Sequence, residues 1–206
     1  MEKAVKNLRV LVLVGSTRQG STNRLLARNA AESMRNAGLE AVLADLRDYP
    51  MPLYDGDLEA ASGLPPAAKT LKDLARESDA FAVASPEYNG SYSAVLKNAI
   101  DWISRPEPGD GPLQVFRGKP AAILSASPGP GGGRRVLKHL RELLEGMRMT
   151  VVPHQVSIGH SGEAFDSAGR LVRPADIESL RVLTADLKRG VDSQGELEGI
   201  LSSARA

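Results

Sequence analysis

Ser16, Thr17, Ser21, Thr22 and Asn23 crowd around Arg18 in a stretch that begins at Gly15 and includes Gly20, directly after the apolar run Val10 to Val14. The glycines let backbone approach an anion, the short hydroxyl and amide groups hydrogen-bond to it, and the guanidinium adds charge. A helical pattern that begins near Asn23 aims the unpaired N–H groups of its first turn at the same spot. These residue types at this spacing point to a phosphorylated ligand. Two familiar phosphate loops do not match. Gly15 and Gly20 have the Walker A spacing, but Ser21 stands where the lysine belongs, and Ser16-Thr17 breaks the glycine pattern of a dinucleotide fingerprint. A ligand-free turn between strand and helix is the alternative reading.

Two more loops carry chemistry. Ser85 to Tyr92 offers the aromatic faces of Tyr88 and Tyr92, the Asn89 amide and open backbone at Gly90. Stacking with edge hydrogen bonds suits a flat heteroaromatic ring, a tricyclic one in particular. The alternative is a turn in which Asn89-Gly90 supplies positive φ and Glu87 caps the next helix; it leaves the two tyrosines without a reason. The loop from Ser125 through Ser127 and Gly131 to Gly133 is glycine-rich. Its N–H groups suit the pyrimidine edge of a flavin and the negative charge that develops there on reduction, the alternative being a flexible turn. Arg134 and Arg135 follow, placed either for a nucleotide phosphate or as solvated first-turn residues.

The elements that must position these loops alternate. Strand-like runs at Leu8 to Val14, Glu40 to Ala44, Ala80 to Ala84, Ala121 to Ala126 and Thr150 to Val152 are separated by helical patterns. Those patterns lie at Asn23 to Ala37, Pro66 to Ser78, Ser93 to Ser104, Gly133 to Met147 and Pro174 to Lys188. The runs are continuous rather than alternating, as in strands buried on both faces of a parallel sheet. Five strands with five helices leave two common doubly wound options, and the length fits an α/β, flavodoxin-like three-layer sandwich with a five-stranded parallel sheet in the order 2-1-3-4-5 better than a six-strand dinucleotide sheet. In that order ligands sit beyond the carboxyl ends of strands 1 and 3. The loops after strands 1, 3 and 4 carry the Gly, Ser and Asn; the loop after strand 2 has no such cluster.

Composition narrows the function. The chain has 206 residues, read as one domain over 1–190 with a polar tail over 191–206, and a net charge of +1 with scattered basic residues, which gives no sign of a nucleic-acid surface. Cysteine is absent, which excludes thiol chemistry, so any electron transfer needs a bound cofactor. His139, His154 and His160 are dispersed without metal-ligand spacing, and no metal is expected. The charged start shows no leader-type cleavage site and no segment approaches the roughly 18 apolar residues of a membrane span, so a cytoplasmic protein with no membrane partner is expected.

The pattern Gly15-Ser16-x-Arg18-x-x-Ser21-x-Asn23, then Pro86-Glu87-Tyr88-Asn89-Gly90-Ser91, then Leu96-Lys97-Asn98-Ala99-Ile100-Asp101-Trp102, resembles the NADPH-dependent FMN reductase family, which includes quinone, chromate and azo reductases. The resemblance covers roughly Leu8 to Met149. It implies that Ser16, Arg18, Ser21 and Asn23 take the FMN phosphate, and the loop's own chemistry adds Thr22. It implies that Pro86, Glu87, Tyr88, Asn89 and Gly90 border the ring and that Ser125 meets its far edge; the reading of the third loop adds Ser127 and Gly131 as cofactor contacts. Family members often have Pro-Gly before the Leu96 helix, where this chain has Ser93-Ala94-Val95.

The function expected is an oxidoreductase that passes electrons from NADPH or NADH through FMN to a small acceptor: a quinone, free flavin, an azo compound or a metal oxyanion. Tyr88 is the expected catalytic residue, lining the open face of the flavin. The rival classes are a flavodoxin-type electron carrier, which the net charge of +1 disfavours because such carriers dock through acidic surfaces, and a non-catalytic FMN-binding interaction module. The long segments Arg47 to Pro65 and Arg105 to Gly118 exceed usual connections. With the resemblance, they lead to the expectation of a homodimer or homotetramer.

Overall fold

Val10, Val12 and Val14 alternate with Leu11 and Leu13, and both sets are buried, because each face of the sheet is covered. The computed structural model describes residues 8–203. The strands are β1 (Arg9–Val14), β2 (Glu40–Asp45), β3 (Ala80–Ala84), β4 (Pro120–Ala126), β5 (Thr150–Val151) and β6 (Val156–Ile158). The helices are α1 (Thr22–Asn36), α2 (Gly56–Ser62), α3 (Pro66–Glu77), α4 (Ala94–Ile103), α5 (Arg134–Gly146) and α6 (Pro174–Ser203). All pairings are parallel, in the order β2-β1-β3-β4-β5. Helices α1 and α6 cover the face of Val12, Ala82 and Leu124; α3, α4 and α5 cover the face of Leu13, Phe81 and Ile123.

The fold is the flavodoxin-like sandwich expected, with two differences. The fifth strand position holds two short pieces: β5 pairs with Pro120 and Ala121, and β6 with Leu124 to Ala126. Pro153, between them, has no N–H to donate to the β4 ladder. The last helix, expected to stop at Lys188, continues to Ser203. Leu180, Leu183, Leu187 and Val191 keep one buried stripe across it. Gly190 is inside the helix because the helix passes close to β4 there: a Cβ would lie 3.2 Å from that of Pro120.

The two long segments are held within the chain, which removes their length as an argument for subunit contacts. Pro52 O accepts from Trp102 Nε1 and Asn98 Nδ2, each at 2.8 Å, and Asn98 Oδ1 accepts the Tyr54 N–H at 2.7 Å. The Leu96 to Trp102 motif thus works as a clamp on Arg47 to Pro65, which itself contains α2. On the other segment, Lys72 Nζ donates to Arg105 O and Asp110 Oδ2, both at 2.6 Å, from a side chain 1% exposed. Arg76 adds bonds to Glu107 and Asp110. Among the described residues no helix is long and apolar enough to cross a membrane.

Candidate active site

The loops after β1, β3 and β4 meet beyond the carboxyl ends of their strands. There Ser16, Arg18, Ser21, Thr22, Asn23, Pro86, Glu87, Tyr88, Ala126, Ser127 and Pro128 line one cleft of about 190 Å³. A larger, open hollow of about 720 Å³ lies between α1 and α6, but none of these loops reaches it, and its Arg170 and Arg181 are paired with Asp166 and Glu178. Chemistry rather than size marks the site.

The first loop is built from the strand outward. Gly15 donates its N–H to Ala84 O at 2.8 Å, and a Cβ there would come within 3.1 Å of that oxygen and of the Leu96 side chain, so glycine is required for the approach. Ser93 Oγ donates to Gly15 O at 2.6 Å and accepts the Leu96 N–H at 3.2 Å. One serine therefore caps α4 and ties it to the loop, which sets the backbone course where the family often has Pro-Gly. Ser21 caps α1.

Arg24 governs the rest of the loop. Its guanidinium donates to Ser16 O at 3.3 Å, Arg18 O at 2.8 Å and Gln19 O at 2.7 Å, and pairs with both oxygens of Asp45 at the end of β2. A trans peptide points its N–H opposite its C=O. The amides of Thr17, Gln19 and Gly20 are thereby turned away from Arg24, and they find no hydrogen-bond partner among the described residues. Sequence reading missed Arg24, Asp45 and Ser93. Arg24 sits at the start of an amphipathic helix, where a charge reads as solvent-facing; the only signal was its place directly after the loop.

Arg18 is exposed and donates to Gly20 O at 3.0 Å. Asn23 lines the cleft, but its side chain, which the resemblance assigns to phosphate, is committed elsewhere. It donates to Ala126 O and accepts the Ala126 N–H, both at 2.8 Å.

In the second loop Tyr88 and Ser91 exchange backbone bonds of 2.9 and 3.0 Å around Asn89 (φ 52°) and Gly90 (φ 83°). This is the tight turn that Asn-Gly favours, and it leaves Tyr88 52% exposed at the cleft. Asn89 and Gly90 lie outside the lining, Gly90 beneath Arg135. Tyr92 packs on the α3–α5 core instead of offering a second free face. Glu87 caps α5 rather than the following helix. It accepts the N–H groups of Arg135 at 3.1 Å and Val136 at 3.2 Å and pairs with the Arg135 guanidinium at 2.6 Å. Burial by itself would raise the Glu87 carboxyl, but Arg135 and the two amides outweigh it and hold it below the usual carboxylate range.

In the third loop Ser127 lines the cleft, while Ser125 and Gly131 do not. Ser125 is fully buried, its Oγ without a hydrogen-bond partner among the described residues, beneath Gly133, where any Cβ would overlap it. Gly132 and Gly133 are left-handed, and a Cβ on Gly132 would come within 2.5 Å of Ser157 Oγ. These two glycines are demanded by packing against the ends of β4 and β6. Gly131 is exposed, its carbonyl taken by Ser157 Oγ at 3.0 Å.

Residues 8–163 match the family described as NADPH-dependent FMN reductase. The chain belongs to that family. It is 42% identical over 169 residues to an NAD(P)H-dependent FMN reductase of Pseudomonas aeruginosa, covering 81% of this chain and 85% of that one. It is 39% identical over 143 residues to a quinone reductase of Escherichia coli, covering 68% and 70%. Among solved structures, FerB, a flavoenzyme NAD(P)H:(acceptor) oxidoreductase from Paracoccus denitrificans, superposes with a TM-score of 0.73 at 29% identity over 92% of this chain and 98% of that one. The protein is an NAD(P)H-dependent, FMN-using oxidoreductase with a flavodoxin-like fold. The residues present fit FMN: Ser16, Arg18, Ser21 and Thr22 line the cleft at the N-terminus of α1, and the exposed Thr17, Gln19 and Gly20 amides beside them have no hydrogen-bond partner among the described residues.

Proposed function

We propose that the cleft holds FMN with its phosphate in the first loop and its ring against Pro86, Glu87 and Tyr88, and that nicotinamide and a small acceptor use the open side in turn. The acceptor classes are a quinone, free flavin, an azo compound or a metal oxyanion. The observation that carries this reading is the convergence of the β1, β3 and β4 loops on one cleft, whose lining holds Ser16, Arg18, Ser21 and Thr22 of the first loop together with Tyr88 of the second. Bound FMN would supply the acceptance of hydride and its onward delivery. The protein's own residues bind and orient. Arg18, the loop amides and the hydroxyls of Ser16, Ser21 and Thr22 hold the phosphate, Ser127 lies toward the third loop, and Tyr88 shapes the stacking surface. Glu87, committed to Arg135 and the first turn of α5, holds the second loop in place beside α5.

A single shared pocket implies ping-pong kinetics. Mixing the FMN-loaded protein with NADPH without air tests the reading: bleaching of the yellow colour followed by recolouring on addition of a quinone supports it. Yellow that does not bleach means an electron carrier, and a protein that takes up no FMN means an interaction module. A homodimer or homotetramer is part of the proposal. The exposed apolar side chains of Leu53, 78% open, and of Leu58 on α2 support it. Sedimentation showing only the 21.9 kDa monomer would end it.

A further inference from the structure

The five N–H donors of Arg24 are all used: three carbonyls of the first loop and two oxygens of Asp45. None is left for a ligand, and the side chain is only 10% exposed. Asp45, 14% exposed, balances its charge, so the pair adds little net field at the cleft. What the pair does is geometric. By drawing the carbonyls of Ser16, Arg18 and Gln19 to one side, it keeps negative ends of peptide dipoles out of the place where a phosphate would sit and leaves the N–H groups of Thr17, Gln19 and Gly20 on the side away from Arg24.

We propose that Arg24, anchored by Asp45, is the positioning residue that gives this site its preference for a phosphorylated flavin over the same flavin without phosphate. The inference rests on the FMN reading above. The fork of a guanidinium is the operative feature: an ammonium at the same place keeps the charge but cannot span three carbonyls and a carboxylate at once. Flavin ring contacts come from the second and third loops, so loss of the fork leaves them in place.

The test compares FMN with riboflavin, by fluorescence titration of the apo-protein, in wild type, Arg24→Lys and the neutral pair Arg24→Gln/Asp45→Asn. Arg24→Lys keeps the ion pair, and the double variant leaves no lone buried charge, so at least one of them retains the fold, as checked by circular dichroism. In each folded variant FMN affinity falls by about tenfold or more while riboflavin affinity stays within about threefold of wild type. Equal losses for the two flavins would make Arg24 a general structural residue and overturn the inference, as would wild-type FMN affinity in Arg24→Lys, which would show that charge suffices. A wild type that binds FMN no better than riboflavin also overturns it. A wild type that binds neither removes the flavin reading itself.

Discussion

Asn23 and Ala126 are 103 residues apart in sequence, and their amide groups form a closed pair in which each donates to the other at 2.8 Å. The pair fastens the first turn of α1 to the end of β4, so that the first and third loops share one anchor. Asn23→Ala leaves a buried N–H and C=O without partners and is expected to cost about 1 to 3 kcal/mol of stability. Urea unfolding of the FMN-free protein checks this. A variant as stable as wild type would return the Asn23 side chain to the phosphate.

Arg18 has the opposite profile. It is exposed, and among the described residues its side chain has one bond, to Gly20 O, so Arg18→Ala, which keeps the backbone carbonyl that Arg24 holds, should leave apo-protein stability within about 0.5 kcal/mol of wild type. Loss of a charge-assisted bond to phosphate is expected to weaken FMN binding by about tenfold to over a hundredfold, equivalent to about 1.5 to 3 kcal/mol. Unaltered FMN affinity in a titration would sink the phosphate assignment.

Tyr88 is presented by the Asn89-Gly90 turn with half of its surface open to the cleft. The proposed phosphate site lies on another loop, so Tyr88→Ala is expected to lower kcat/KM for a quinone, under FMN saturation, by a larger factor than it lowers FMN affinity. If the substitution strips the flavin but leaves the saturated kinetics untouched, Tyr88 retains the cofactor and the substrate face lies elsewhere.

Acid stability should report the strap that holds Arg105 to Gly118. The Lys72 ammonium bonded to Asp110, helped by the Glu107 N–H, lowers the Asp110 carboxyl from its ordinary 3.8 to about 2. Between those values the unfolded chain binds a proton that the folded protein refuses, so stability falls as pH drops through this window and is fully present above it. Asp110→Asn is expected to be less stable than wild type at about pH 6, because the buried Lys72 loses the nearer of its two carboxylates and keeps only Glu107, at 3.3 Å. The gap between the two should narrow as pH falls toward about 2. A gap constant across that range, measured by urea unfolding, would show that the ion pair contributes nothing.

Apolar runs broken by glycine, proline and cap residues are local signals, and the five main strands, their parallel order and the three ligand loops could all be read from them. Local signals also placed Ser16, Arg18, Ser21, Thr22, Asn23, Pro86, Glu87, Tyr88 and Ser127 at the cleft. What a side chain bonds to depends on what folds against it, and that only the tertiary structure decided. Asn23 turns to Ala126, Glu87 to the first turn of α5, and Ser125 lies buried beneath Gly133. The tight turn at Asn89-Gly90 was written in the sequence, yet its effect, presenting Tyr88 while Tyr92 goes to the core, required the packed helices. Helix α6 runs through Gly190 because a buried stripe continues beyond a residue that, alone, reads as a stop. Arg24 shows the limit most plainly. A charge at the start of a helix has no local reason to turn inward; three loop carbonyls and a carboxylate from the neighbouring strand supply one only after the chain has closed around them.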